Sequence, residues 1–292
     1  MLKKLFVFSF LLFIILLVIF TNVKDNFQNI SLKNISDLEK VLKDSILENI
    51  EKTIYNPPPL INKNDVEDSY LTNSGVSKWT NIQRDKTESL PPLLRDDILD
   101  KIATERLEDM FSKEYFEHQS PEGIEASDIA EEIGYKYILI GENIALGNFE
   151  DDQILVQAWM DSPGHRANIL NSDYTEIGIA VKKGFYKEQK TWIGVQIFAR
   201  PLSDCTQANP NLRVEIEENK DQITNLENSS FVLQKEIENM NPTSRQDIKI
   251  YNRKINEYNE LIEDINVLIR TQKNLILEYN DQIDAFNKCV QG

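Results

Sequence analysis

Histidine and cysteine are nearly absent: the chain has two of each in 292 residues. The cysteines, Cys205 and Cys289, show no CxxC spacing and have no histidine close in sequence, which excludes a zinc knuckle and a thioredoxin-like redox motif. There is no HExxH run and no third histidine to complete a three-imidazole metal site. Positive charge is also short: 32 Lys and Arg face 48 Asp and Glu, a formal net charge of −16. Nucleic-acid binding needs clustered Lys and Arg, so that class of partner is excluded, and adsorption to anionic lipid is disfavoured. The remaining composition, 41% hydrophobic and 27% charged, is that of a folded protein. The length leaves room for one good domain with extensions, or for two small ones.

Long apolar runs are missing except at the start. Residues 1–23 read MLKKLFVFSFLLFIILLVIFTNV, with Lys3 and Lys4 ahead of the run. About 19 apolar residues at ~1.5 Å each suffice to cross a ~30 Å hydrocarbon core. The run ends in Ile19, Phe20, Thr21, Asn22 and Val23, a poor cleavage site, so it reads as an uncleaved signal anchor; a cleaved signal and secretion are the alternative. Either way everything after the run is exported; the anchor reading keeps Lys3 and Lys4 cytoplasmic and gives a single-pass cell-membrane protein with its C-terminal part outside. Residues 24–71 read as a stalk. Ser36 and Glu39 form a capping box, and Leu38, Val41, Leu42, Ile46 and Ile50 follow at helical spacing, predicting an amphipathic helix over 37–54. Pro57, Pro58 and Pro59 then end it.

Residues 72–203 have the pattern of a compact domain. A short helix is expected over 76–84. The stripe Ile98, Leu99, Ile102, Ala103, Leu107, Met110 and Phe111 predicts a strong helix over 96–113. Further helices are expected over 125–133 and 151–160, and a third restarts at Ser162-Pro163, where Ser suits the N-cap and Pro the first turn. Strands are expected over 137–145, 176–182 and 191–199, the last two as an antiparallel hairpin.

Residues 204–292 differ. Leu212, Ile216, Asn219, Ile223, Leu226, Ser230, Leu233, Ile237 and Met240 alternate by four and three, and the register resumes after residues 241–244 from Ile248 through Ile265 to Phe286. That heptad pattern predicts an antiparallel helical hairpin of coiled-coil type, or arms that pair with a second chain. The extended link after Cys205 is long enough to let it reach Cys289 at the hairpin base, so a disulfide is expected in an oxidising compartment; two unpaired thiols are the other reading.

The chemistry is concentrated in residues 115–170. Both histidines, His118 and His165, lie there, with Glu122 and Glu142 between them. His165 falls in the first turn of the helix capped by Ser162, where the helix dipole disfavours imidazolium. If the fold joins these loops, two nitrogens and two carboxylates become plausible ligands for Zn²⁺ or another divalent cation, with an open water position. A hydrogen-bonded structural His–Glu arrangement explains the same residues.

The runs YFEHQSPEG, GENIALG, AWMDSPGHRANIL, YTEIGIAV and TWIGVQIFA, in that order, resemble the CAP superfamily of cysteine-rich secretory, antigen 5 and pathogenesis-related proteins, in its bacterial SCP-like extracellular form. The resemblance covers residues 72–200 and includes the LEDM turn ahead of His118. It implies an α+β fold, an α-β-α sandwich with a small antiparallel sheet and a wide cleft. It also implies that His118, Glu122, Glu142 and His165 form the cavity tetrad, the two histidines being the metal ligands where metal is bound. No disulfide lies inside the domain, unlike the eukaryotic members. The resemblance does not fix one reaction. The leading expectation is a membrane-anchored extracytoplasmic protein whose cleft binds a lipid or peptide ligand, with or without a divalent metal. A metal-assisted hydrolase of envelope peptides or polymers, with Glu142 or Glu122 as base, and a non-catalytic structural envelope protein are the alternatives. The membrane, through residues 1–23, and a protein partner or second copy, through the heptads, are the expected associations.

Overall fold

The structure, a computed structural model, describes residues 42, 52–63, 66 and 68–291. The apolar segment 1–23 and most of the expected stalk helix lie outside these residues. Among the described residues no helix is long and apolar enough to cross a membrane. The chain divides into two compact units, one within Ile46–Thr206 and one within Gln207–Gln291.

The first unit is a sheet covered by helices on both faces. In chain order it contains β1 (Thr53–Tyr55), β2 (Leu60–Ile61), α1 (Asn73–Glu88), β3 (Leu94–Arg95), α2 (Asp97–Lys113), α3 (Ala126–Glu132), β4 (Tyr137–Gly147), α4 (Asp152–Asp161), α5 (Pro163–Ile169), β5 (Glu176–Tyr186) and β6 (Gln189–Pro201). The strand order is β1-β4-β6-β5-β3, with β2 also on β4. The three long strands pair antiparallel, whereas the three short ones join the edges in parallel. β5 and β6 run on further than their apolar patterns indicate, meeting at Tyr186–Gln189. Lys187 and Glu188 both have positive φ, 47° and 68°, the backbone that a two-residue turn needs to match strand twist.

Alternation on β4 assigns its two faces. Ile140, Ile144 and Leu146 pack with Leu99, Ile102, Leu107 and Met110 of α2, while Leu139 and Ala145 pack with Leu155, Val156 and Trp159 of α4. Every residue of β4 is buried, so any polar side chain on it must find its partner inside the protein. α2 starts at Asp96, whose carboxylate accepts from the Ile98 and Leu99 amides at 2.9 Å each. Its first turn presses so closely on β5 that a Cβ at Gly178 would lie 2.1 Å from the Leu99 carbonyl carbon.

Residues 53–61 depart from the expected stalk. Thr53–Tyr55 is a strand on the edge of β4, where the spacing predicts the end of a helix. An unpaired strand edge offers backbone hydrogen bonds that a helix end over the following prolines cannot provide. Neither Cys205 nor Cys289 is a free thiol; both are disulfide-bonded, and the chain has no other cysteine.

The second unit holds α6 (Pro210–Glu238) and α7 (Arg245–Gln291). They pack antiparallel: Asn219 donates to Gln272 at 2.8 Å and to the Leu268 carbonyl at 3.0 Å, and Lys254 pairs with Glu236 at 2.5 Å. Buried positions on α6 are Leu212, Ile216, Asn219, Ile223, Ser230 and Ile237, six of the nine positions singled out in the sequence. Ile223 and Ile265 form the middle cluster, both almost wholly buried. Replacing Ile265 with Asp puts a carboxylate against Ile223 and should destabilise the helical pair by roughly 3 kcal/mol. The readout is the helical circular-dichroism melt, and an unchanged melt would show that these two helices do not pair through that layer.

Candidate functional site

The site is built from α2 outward. Arg106 lies on the apolar stripe of α2 and is 1% exposed. A buried guanidinium must have its donors satisfied, and it does. Nε donates to Glu142 Oε1 at 3.0 Å, Nη1 to the Tyr115 hydroxyl at 2.8 Å, and Nη2 to the carbonyls of Glu117 at 3.0 Å and His118 at 2.5 Å. α2 ends at Glu114 in left-handed backbone (φ 53°), which turns the chain back so that residues 115–118 fall under this fork. Burial alone would lower the Arg106 pKa, but Glu142 and Tyr115 outweigh it and hold it above its ordinary value. The Tyr115 hydroxyl, buried and bonded to Asp109, is pushed up to about 12.

Glu142 sits in the middle of β4 on the α2 face, also 1% exposed. One oxygen accepts from Arg106; the other pairs with His118 Nδ1 at 2.6 Å. The second ring nitrogen of His118, Nε2, is hydrogen-bonded to the Pro57 carbonyl. Both nitrogens therefore face acceptors, and the doubly protonated ring is the form that satisfies both. Burial pulls the His118 pKa down, but the bond to Glu142, its charge and the Pro57 carbonyl outweigh this and raise it.

His165 approaches from the other side. Ser162 is the N-cap of α5, yet its hydroxyl makes no capping bond to the backbone; it bonds His165 Nδ1 at 2.8 Å. Ring orientation thus takes the place of the cap expected from sequence. His165 is 1% exposed and its Nε2 has no hydrogen-bond partner. Burial, then the neighbouring His118 charge, pushes its pKa down to about 4. The surroundings therefore push the two histidines in opposite directions, His118 upward and His165 downward.

A buried amide network fixes this second side. Asn143, next to Glu142 but on the opposite face, donates to the His165 carbonyl and to Gln196, both at 3.1 Å. Gln196 donates to Thr80 at 2.7 Å, and Asn168 donates to Asn143 at 2.9 Å and to the Tyr55 carbonyl at 3.1 Å. β4, β6, α1 and α5 are thereby tied at one point.

The structure brings His118, Glu142 and His165 together. Glu122 stands elsewhere: more than half exposed, it pairs with Lys113 at 2.6 Å and accepts from Ser120 at 3.1 Å, and makes neither bond with a histidine. Lys113, then burial and Ser120, leave its pKa below the usual value. Sequence reasoning missed Arg106, Asn143, Asn168 and Pro57. Arg106 had a signal, since an arginine inside an apolar helical stripe demands a buried counter-charge. Pro57 had none.

Residues 78–198 match the CAP family, described as the cysteine-rich secretory protein family. The chain carries a CAP domain. It is similar to the uncharacterized protein YkwD of Bacillus subtilis (strain 168), 40% identical over 117 residues, which is 40% of this chain and 43% of that one. It is also similar to the uncharacterized membrane protein YlbC of the same organism, 36% identical over 115 residues, 39% of this chain and 33% of that one. The chain thus spans less than half the length of these curated relatives. Among solved structures, an extracellular protein containing a SCP domain from Bacillus anthracis is 32% identical with a TM-score of 0.37, over 44% of this chain and 39% of that one. β1 and β2 lie before the stretch that matches the CAP family.

Two predictions follow from this geometry. Arg106→Met leaves the Glu142 carboxylate buried without its cation, and should cost the CAP unit about 3–5 kcal/mol in urea denaturation. The pH dependence has a sign that can be worked out. His165 has a folded pKa near 4 against an ordinary 6.5, so between these values the unfolded chain binds more protons and stability falls as pH drops. His118 acts oppositely, its contribution being complete below the ordinary pKa and lost as pH rises through the raised one. His165→Gln should therefore remove an acid-side loss on the order of 2 kcal/mol between pH 6.5 and 4. Denaturation midpoints of both proteins across that range test it.

Proposed function

We propose that the CAP unit is the ligand-binding part of an exported, membrane-tethered protein, and that its ligand enters the cleft lined by His118, Glu142 and His165. The observation that carries this reading is His165 Nε2, a buried polar atom without a partner beside a fully engaged charge network. Leaving such an atom unsatisfied costs on the order of 1–3 kcal/mol, which an incoming group that completes it would recover. Export is supported by the apolar run of residues 1–23 and by the disulfide-bonded state of the cysteines, which persists in oxidising compartments. The helical pair serves as a spacer or as an arm for a protein partner.

A divalent cation is one group that would complete His165. His118 and His165 would hold it through their Nε2 atoms, with Glu142 behind His118 Nδ1 as the carboxylate that orients a ligating imidazole. Such an ion supplies a Lewis-acid point for a carbonyl or carboxylate of the ligand. The fit requires Pro57 to leave, because its carbonyl holds His118 Nε2. Among the described residues no cluster of three or more His, Cys, Asp or Glu is placed to hold a metal. Binding is preferred to hydrolysis because Glu142 has both oxygens committed and Glu122 is paired with Lys113, which leaves neither placed as a base.

The full chain, purified without chelator and titrated with Zn²⁺, should melt several degrees higher, and His165→Ala should lose that response. Melting indifferent to zinc in the wild type removes the metal from this reading. A His165→Ala protein as responsive as the wild type moves the ion to another site.

A further inference from the structure

The edge of β4 already carries a peptide, its own. β1 pairs with Leu139, Ile140 and Gly141, and β2 with Ala145 and Leu146, both parallel to β4. Between them residues 56–59 leave the ladder opposite Glu142, Asn143 and Ile144, and Pro57 enters the cleft. Pro57 is buried, whereas Thr53, Ile54, Tyr55 and Pro58 are exposed. Its carbonyl accepts from His118, and its ring lies against the His165 segment: a Cβ at Gly164 would come within 2.6 Å of Pro57 Cβ. The flanks are read as well. The Tyr55 carbonyl accepts from Asn168 at 3.1 Å, the Asn56 side chain donates to Glu125 at 3.3 Å, and Lys52 pairs with Glu131 at 2.6 Å.

We propose that this edge is a binding groove for an extended, proline-bearing peptide with a basic residue ahead of the proline, and that residues 53–61 are its tethered occupant. The inference rests on the reading of the cleft as a ligand site and names the ligand class. Three observations support it. The arrangement is that of strand addition, in which main-chain bonds give affinity and a side-chain pocket gives selectivity. The pocket takes a residue with no N–H, where a central ladder position would demand one, and consecutive prolines arrive already extended, so less conformational entropy is lost on docking. The occupant is also marginal to the core. Its strands are three and two residues long, and Ile54, Tyr55 and Ile61 are 44%, 47% and 55% exposed. It lies ahead of residues 78–198, the stretch that constitutes the CAP match.

The test uses the full chain with residues 53–61 replaced by Gly and Ser in equal number, and a fluorescent peptide with the sequence of residues 52–62. Saturable binding is expected. It should weaken at least ~10-fold when the peptide carries Pro57→Gly, or when the chain carries Gly164→Val, which fills the proline pocket. The wild type should bind the peptide at least ~10-fold more weakly than the replaced chain, because its own segment competes at roughly millimolar effective concentration. A replaced chain that melts cooperatively yet binds no peptide overturns the proposal. Its zinc response in the same sample then shows whether the cleft survives as a ligand site of another kind. If the replaced chain does not fold, amide exchange of the wild type decides: the Ile54, Tyr55 and Ile61 amides should exchange at least ~100-fold faster than those of β6, and equal protection would make the segment a permanent strand and overturn the proposal.

Discussion

The buried pair of Arg106 and Glu142 is the constraint on which the site depends. Each is 1% exposed, and neither could be carried into the interior alone. Their bond joins α2 to the middle of the sheet, and the remaining donors of Arg106 are spent on Tyr115 and on the carbonyls of Glu117 and His118. The loop that carries His118 is therefore held by its backbone, and the ring is aimed by the same carboxylate that neutralises the arginine. Such a pair adds little stability over an apolar substitute of equal volume. What it adds is position: the imidazole has one place to go.

Across β4 the protein solves the same problem without charge. Asn143, Gln196, Thr80 and Asn168 are all buried and bonded to one another or to backbone, and the His165 segment hangs from them. The consequence is a pair of histidines in unlike surroundings. One faces a carboxylate and a carbonyl, which favour its protonated form; the other faces a hydroxyl on one nitrogen and buries the second without a partner, which favours its neutral form. Environments that push two like groups apart are the usual means by which one site offers both a cation and a lone pair.

Much of this was legible in the sequence where the cause is local. The stripe on α2, the two long strands of the hairpin and the heptads of α6 and α7 follow from periodicity, which is set by burial of one face. The expectation that Glu142 and His165 belong to one site came from the ordered motifs of the family, and the buried network of Asn143 and Asn168 ties their segments together. What was not legible depends on distant partners. Thr53–Tyr55 has helical spacing ahead of it, but the open edge of β4 overrides that preference. Ser162 has the identity of a cap, but a ring nitrogen competes for its hydroxyl. Glu122 stands beside a glycine in the same loop as His118, but Lys113 one helix end away offers a better partner than a buried cleft already supplied with one carboxylate.

The Pro57 carbonyl links these features. It takes the one nitrogen of His118 that Glu142 leaves available, and it favours the protonated ring while it is there. A metal on His118 needs that same nitrogen, and needs it without its proton. A cation of the kind proposed above would therefore compete with the docked segment for one atom of His118. Such competition would be reciprocal: drawing residues 53–61 off the β4 edge would raise the affinity of His118 for the cation, and the cation would loosen the segment by the same factor. Under that proposal the sheet edge and the histidine pair would act as one site, with Pro57 as the residue shared between its two halves.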